Sequence, residues 1–130
     1  MSNLCYAFGD STCVNTGEVK LNYKELNKTL STSFINTCCA LGFHVNGFNF
    51  LAHVDDMTPN MYNKIISKLQ IISSNLKDIK NIHVWVGMMC TTKSNCGSLK
   101  ICKKVIKYIN KPVTYHNDDN NIIIMSDKFI

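Results

Sequence analysis

The sequence predicts an α+β fold: a sandwich-like β-sheet core around a central antiparallel hairpin at 37–55, covered by two amphipathic helices. Three observations carry this. Residues 37–55 hold two β-branched and aromatic runs of strand length, joined by Asn46-Gly47. Two later segments repeat apolar residues at the helical period. Finally, 130 residues at 45% hydrophobic content suffice for one packed core and are too few for two. With no linker, repeat or low-complexity segment in view, residues 1–130 read as a single domain.

Taken in order, "LCYAF" (4–8) reads as a short strand and Gly9 to Gly17 as a loop rich in Gly, Ser, Thr and Asn. A second short strand follows near Glu18 to Asn22. Residues 23–33 are ambiguous. Thr37 to Val45 and Phe48 to Asp55 form the hairpin, because both central residues of a type I′ turn need positive φ and Asn-Gly supplies them. Thr58 as N-cap and Pro59 at the first helical position open a helix. Its stripe is Met61, Ile65, Leu69, Ile72 and Leu76. Ile82 to Met89 reads as a strand. A second helix from about Ser98 to Ile109 turns Leu99, Cys102, Val105, Ile106 and Ile109 inward and stops before Pro112. Val113 to Tyr115 and Ile122 to Met125 are expected to close the sheet around the turn-like "HNDDNN".

Composition excludes several functions. All 14 basic residues are lysine, and the net charge is +5. Arginine is the preferred fork for phosphates and guanine edges, so a nucleic-acid partner is not expected. The densest lysine group, Lys100, Lys103, Lys104 and Lys107, lies on the polar side of a helix and reads as a solvated face. No run approaches 18 consecutive apolar residues, so no membrane partner is expected. The N-terminal Met-Ser-Asn-Leu-Cys lacks a basic segment followed by an apolar one, which sets the expected location as cytoplasmic, a host cell's cytoplasm included. There the seven cysteines, odd in number and irregular in spacing, are expected to be mostly reduced and buried. Cys90, Cys96 and Cys102 recur every six residues with His83 upstream, the sharper alternative of a zinc site. Because no Cys-x2-Cys pair exists, no metal is expected.

Register singles out two residues. If Asn46-Gly47 is a two-residue turn, opposite residue numbers sum to 93. Cys38 then faces Asp55, Ala40 faces His53, and Leu41 faces Ala52. Side chains alternate along a strand, so Cys38, His53 and Asp55 share one face while Cys39 and Val54 take the other. Cys38 and His53 become diagonal neighbours about 7–8 Å apart between backbones. His44 has the right parity but lies about 20 Å from Cys38 along the strand. A thiol beside an imidazole can form a thiolate–imidazolium pair, and the thiolate is a nucleophile. Asp55 is placed to orient that pair, or equally to be a solvated strand-end acid. The competing reading is a packing cysteine next to a buried histidine.

"TCCALGFHVNGFNFLAHVDD" (37–56) resembles the core of the protein N-terminal asparagine amidohydrolases. Thr37-Cys38, Gly47 and Leu51-Ala52-His53-Val54-Asp55 stand at that family's positions, and "NIHVWVGMM" followed by an amphipathic helix resembles its next strand and helix. The same Cys-to-His arrangement occurs in CheD-type glutamine deamidases and in deamidating toxins of the cytotoxic necrotizing factor type. CheD proteins carry a threonine six residues before the nucleophile, and Thr32 stands at that offset. The likeness spans roughly residues 30–108.

What the resemblance implies is a cysteine-dependent deamidase: hydrolysis of a side-chain carboxamide on a protein or peptide, with release of ammonia and no cofactor. Cys38 would attack, His53 would act as base and then acid, and Thr32 would hold His53 or the substrate amide. Oxyanion donors would come from the backbone N–H of Cys38 or its neighbours, with the Asn36 amide as a further candidate. N-terminal asparagine is the first substrate choice, its α-amine read by Asp55 or Asp56. Internal glutamine is the second, and a non-catalytic partner-binding module of the same fold is the third. The sequence leaves the oligomeric state open.

Overall fold

The computed structural model describes residues 12–23, 30–33, 35, 37–45, 48–91, 96–117 and 122–125. Among these, eight strands run in the order β1 (Thr12–Cys13), β2 (Val19–Tyr23), β3 (Leu30–Ser33), β4 (Cys39–Val45), β5 (Phe48–Val54), β6 (Lys80–Val86), β7 (Val113–Asn117) and β8 (Ile122–Met125). Three α-helices accompany them: α1 (Met61–Ile71), α2 (Met88–Thr91) and α3 (Gly97–Ile109), with a 3-10 segment at Ser73–Asp78. The fold is α+β with a sheet core, as the sequence predicts.

A five-stranded sheet, ordered β2-β5-β4-β6-β7, is the centre of the molecule. β4 pairs antiparallel with β5 from Cys39↔Val54 to Val45↔Phe48, and those partners sum to 93 at every rung. The register inferred from Asn46-Gly47 therefore holds, although residues 46–47 themselves lie outside the described residues. Every residue of β4 is buried. That follows from its central position and from the covering of both faces, which removes any need for a polar side.

One face is covered by α1 and α3. Odd positions of β4 (Cys39, Leu41, Phe43, Val45) and even positions of β5 and β6 (Phe50, Ala52, Val54, Ile82, Val84, Val86) pack there against Met61, Ile65 and Leu69 of α1 and Cys102, Val105 and Ile109 of α3. Phe43 and Phe50 stack across the hairpin with centroids 4.3 Å apart. The opposite face meets a three-stranded sheet, ordered β1-β3-β8. Its core is smaller: Val14, Leu30, Ile35, Cys38, Ala40 and Leu51, with Trp85 against it. Among the described residues, no helix is long and apolar enough to cross a membrane.

Several expectations need correction. α1 begins at Met61, with Asn60 in the left-handed region as its N-cap and no side-chain capping bond. Thr58 is unavailable to cap it, since its hydroxyl donates to Asp55 Oδ2 at 2.9 Å. The strand read as reaching Met89 ends at Val86, and Met88–Thr91 is the short α2. β1 forms inside the expected loop, and the ambiguous 23–33 stretch ends in β3. β7 and β8 are not partners: β7 lies parallel to β6, whereas β8 joins β3 in the other sheet. The strand expected at 4–8 lies outside the described residues. The expectation of mostly reduced cysteines is not met either: among the described residues Cys38, Cys39 and Cys102 are free thiols, whereas Cys90 is bonded to Cys96 and Cys13 is also disulfide-bonded. Spacing does not reveal that pairing, because the fold brings the end of α2 against the residue preceding α3.

Candidate active site

Cys38 enters the sheet one residue before β4, and its backbone is held at both ends. Its N–H donates to Ile35 O at 2.7 Å, and its carbonyl accepts from Gly87 N–H at 3.0 Å. The thiol packs with Ala40 and Leu51, on the face turned toward the small sheet. His53, opposite Ala40 on β5, shares that face. Its N–H donates to Glu18 O at 3.0 Å and its carbonyl accepts from Gly17 N–H at 2.9 Å. Gly17 has φ +81° and a Cβ there would run into Thr58, so glycine is what lets this loop lie against β5.

The hydrogen bonds around His53 assign its tautomer. Thr32 Oγ1 lies 2.7 Å from Val14 O and 2.7 Å from His53 Nδ1. A hydroxyl has one proton, and a carbonyl can only accept, so Thr32 donates to Val14. His53 must then donate Nδ1–H to Thr32, which leaves the Nε2 lone pair as the acceptor of the neutral ring. Thr16 Oγ1 is 3.5 Å from Nε2. Burial holds the ring neutral: it is 1% exposed, and its pKa is lowered to about 4, chiefly by desolvation and against an opposing pull from Asp55.

Cys38 is 5% exposed, and its pKa is raised to about 11, first by burial and then by the Asp55 carboxylate. Its Sγ lies 3.9 Å from Asp55 Oδ1. Among the described residues no hydrogen bond joins this thiol to His53. The resting pair is therefore thiol and neutral imidazole, not the thiolate–imidazolium expected from sequence, because neither ring nor thiol is solvated enough to carry its charge.

Asp55 does not orient His53 by a hydrogen bond. It organises the turn into α1, accepting from Thr58 Oγ1 and, at 3.3 Å, from Met57 N–H. The N–H of Cys38 is no oxyanion donor in this conformation, since Ile35 O occupies it. Asn36 lies outside the described residues. Thus Thr32 and His53 are brought into contact, Cys38 and Asp55 come within reach of each other, and Cys38 and His53 share a face without bonding.

Sequence reasoning missed the parts contributed by the 14–18 loop: the Val14 carbonyl that fixes the Thr32 proton, and Thr16 beside Nε2. Gly17 was the available signal. It also left His83 and His116 unplaced. They meet at 2.6 Å between Nδ1 and Nε2 and stack with Trp85, on the same sheet face as Ala40. His44 is engaged by Asn49 at 2.8 Å, well away from Cys38. Compared with the sequence models of known protein families and with curated protein sequences, the chain matches none.

Proposed function

We propose that the protein is a cysteine-dependent amidohydrolase that converts an N-terminal asparagine of a peptide or protein to aspartate and releases ammonia. The observation that carries this reading is the Val14–Thr32–His53 chain. It fixes Nδ1 as the donor and presents Nε2 as a base on the same sheet face as the Cys38 thiol.

In this mechanism Cys38 attacks the side-chain amide carbon while His53 Nε2 takes the thiol proton. The proton passes to the departing ammonia, leaving a thioester on Cys38, and His53 then activates water for its hydrolysis. The raised Cys38 pKa supports a substrate that brings its own cation. An α-ammonium seated at Asp55 neutralises the carboxylate 3.9 Å from Sγ, and with it one of the two main causes of the shift. In asparagine the α-nitrogen is only three bonds from the side-chain carbonyl carbon, so an ammonium at Asp55 sets that carbon beside Cys38. Internal glutamine supplies no such charge. A cytoplasmic setting would keep Cys38 a free thiol, and there the Cys90–Cys96 bond would be reduced as well.

The burial of Cys38 and His53 favours a second reading, a partner-binding module that does not turn over. The two separate in one assay. Peptides beginning with Asn should gain about one mass unit and release ammonia, and their acetylated copies should not. Cys38→Ala should abolish turnover, and His53→Ala should lower it by ~10²–10⁴-fold. Turnover that persists in Cys38→Ala contradicts the proposal. Inert Asn peptides beside deamidated internal glutamine would move the substrate assignment to the glutamine class.

A further inference from the structure

The second cysteine of the Cys38-Cys39 pair points to the helix side and meets a different set of groups. Cys39, Cys90 and Cys96 are all buried, and their three sulfurs lie within 4.8 Å of one another. Cys39 Sγ is 3.7 Å from Cys90 Sγ. Cys102, fully buried and a free thiol, packs in the same core and interacts with Cys39 through its side chain. Three sulfurs from three places in the fold thus converge, the first residue of β4, the third of α2 and the residue before α3, and Cys102 on the second turn of α3 adjoins Cys39.

We propose that, once the Cys90–Cys96 disulfide is reduced, Cys39, Cys90, Cys96 and Cys102 bind one zinc ion as four thiolates. A tetrahedral site with Zn–S of about 2.3 Å has sulfurs about 3.8 Å apart, which is the spacing of Cys39 and Cys90. The ligands are soft, the pocket is dry, and the site joins sheet to helices as a structural zinc does. His83, the ligand suggested by sequence spacing, is on the opposite sheet face beside His116. Cys39 takes its place.

The competing use of the cluster is thiol–disulfide exchange, with Cys39 attacking Cys90. In-line attack would set the Cys96 sulfur about 5.8 Å from Cys39, given a disulfide bond of about 2.05 Å. Cys96 Sγ instead lies within 4.8 Å of Cys39 Sγ, so Cys39 does not stand in line with the Cys90–Cys96 bond. Loading is balanced in two steps. Two equivalents of a small-molecule thiol of the glutathione class reduce Cys90–Cys96, yielding two protein thiols and one external disulfide. Zinc then displaces four protons from four thiols, so binding tightens as pH rises.

The test is a titration of the whole reduced protein with Co(II) and then Zn(II) without oxygen. One Co(II) per chain is expected, with the intense visible and sulfur-to-metal bands of a tetrahedral thiolate site. Zinc should displace it, and a chelator should lower the thermal midpoint. Cys39→Ser and Cys90→Ser should each weaken binding by more than the ~10–100-fold cost of losing an outer-shell partner. Cys38→Ser, altered on the other face, should keep one equivalent. Reduced wild-type protein that takes up neither metal overturns the proposal, and this arm needs no variant to fold. Loss of metal in Cys38→Ser with retention in Cys39→Ser overturns it as well.

Discussion

Cys38 and Cys39 are neighbours in sequence and lie on opposite faces of one sheet, where their chemistry diverges. The Cys38 side is a small, partly polar interlayer: a modest apolar cluster bordered by buried Thr32 and His53, with Asp55 Oδ1 3.9 Å from the Cys38 sulfur. The Cys39 side is the main core, where helices cover a broad apolar surface and further cysteines gather. The two thiols respond in opposite directions. Burial and the Asp55 carboxylate push Cys38 up to about 11, whereas the Cys102 thiol pulls Cys39 down. The pleat alone separates them, since successive side chains of a strand point to opposite faces. One face is thereby free to carry a reactive site while the other supplies stability.

That division can be broken by substitution. On the helix side, Phe50→Ala removes one of two stacked, fully buried rings and should cost about 3–5 kcal/mol in denaturant unfolding. A smaller loss than that of a comparable truncation on the other face, such as Leu51→Ala, would contradict the assignment of stability to the helix side.

On the Cys38 side, acid should act through His53. Its folded pKa of about 4 lies below the usual 6.5, so between these values the unfolded chain binds more protons than the folded one. Stability should be highest above pH 6.5 and fall by about 3 kcal/mol as pH drops to 4. In His53→Gln that stretch of the curve should flatten. An unchanged slope in the variant would show that His53 is not held neutral.

The smallest expected effect is at Thr32. Thr32→Val leaves the His53 Nδ1–H without its acceptor and should cost about 1–3 kcal/mol. It should also shift the pH profile of turnover, because the tautomer is no longer fixed. Thr32→Ser, which keeps the hydroxyl, should restore most of both. Equal loss in the two variants would assign Thr32 to packing alone.

How far this was legible in the sequence depended on the range of the interactions. The β4–β5 register followed from Asn46-Gly47 and alternation, and with it the shared face of Cys38 and His53. Both helical stripes were legible for the same local reason, except that α1 ends at Ile71, leaving Ile72 as its C-cap and Leu76 in the 3-10 segment. The start of α1 was not, because Asp55 takes the Thr58 hydroxyl that would have capped it. "LSTS" carries too little apolar pattern to announce β3, and its pairing with β8 spans most of the chain. The Cys39–Cys90 approach joins residues 51 positions apart, beyond any spacing rule. The pKa directions were not legible either, since they depend on burial that no local pattern reports.

The central claim, that Cys38 rather than Cys39 is the nucleophile, is tested most directly by covalent capture. The probe is a peptide with a free α-amine whose first residue carries a chloromethyl ketone in place of the side-chain carboxamide. Mass mapping should find one adduct, on Cys38, suppressed by excess Asn-terminal peptide and absent when the probe's α-amine is acetylated. An adduct on Cys39 or Cys102, or labelling of Cys38 that neither competitor nor acetylation reduces, would contradict the account.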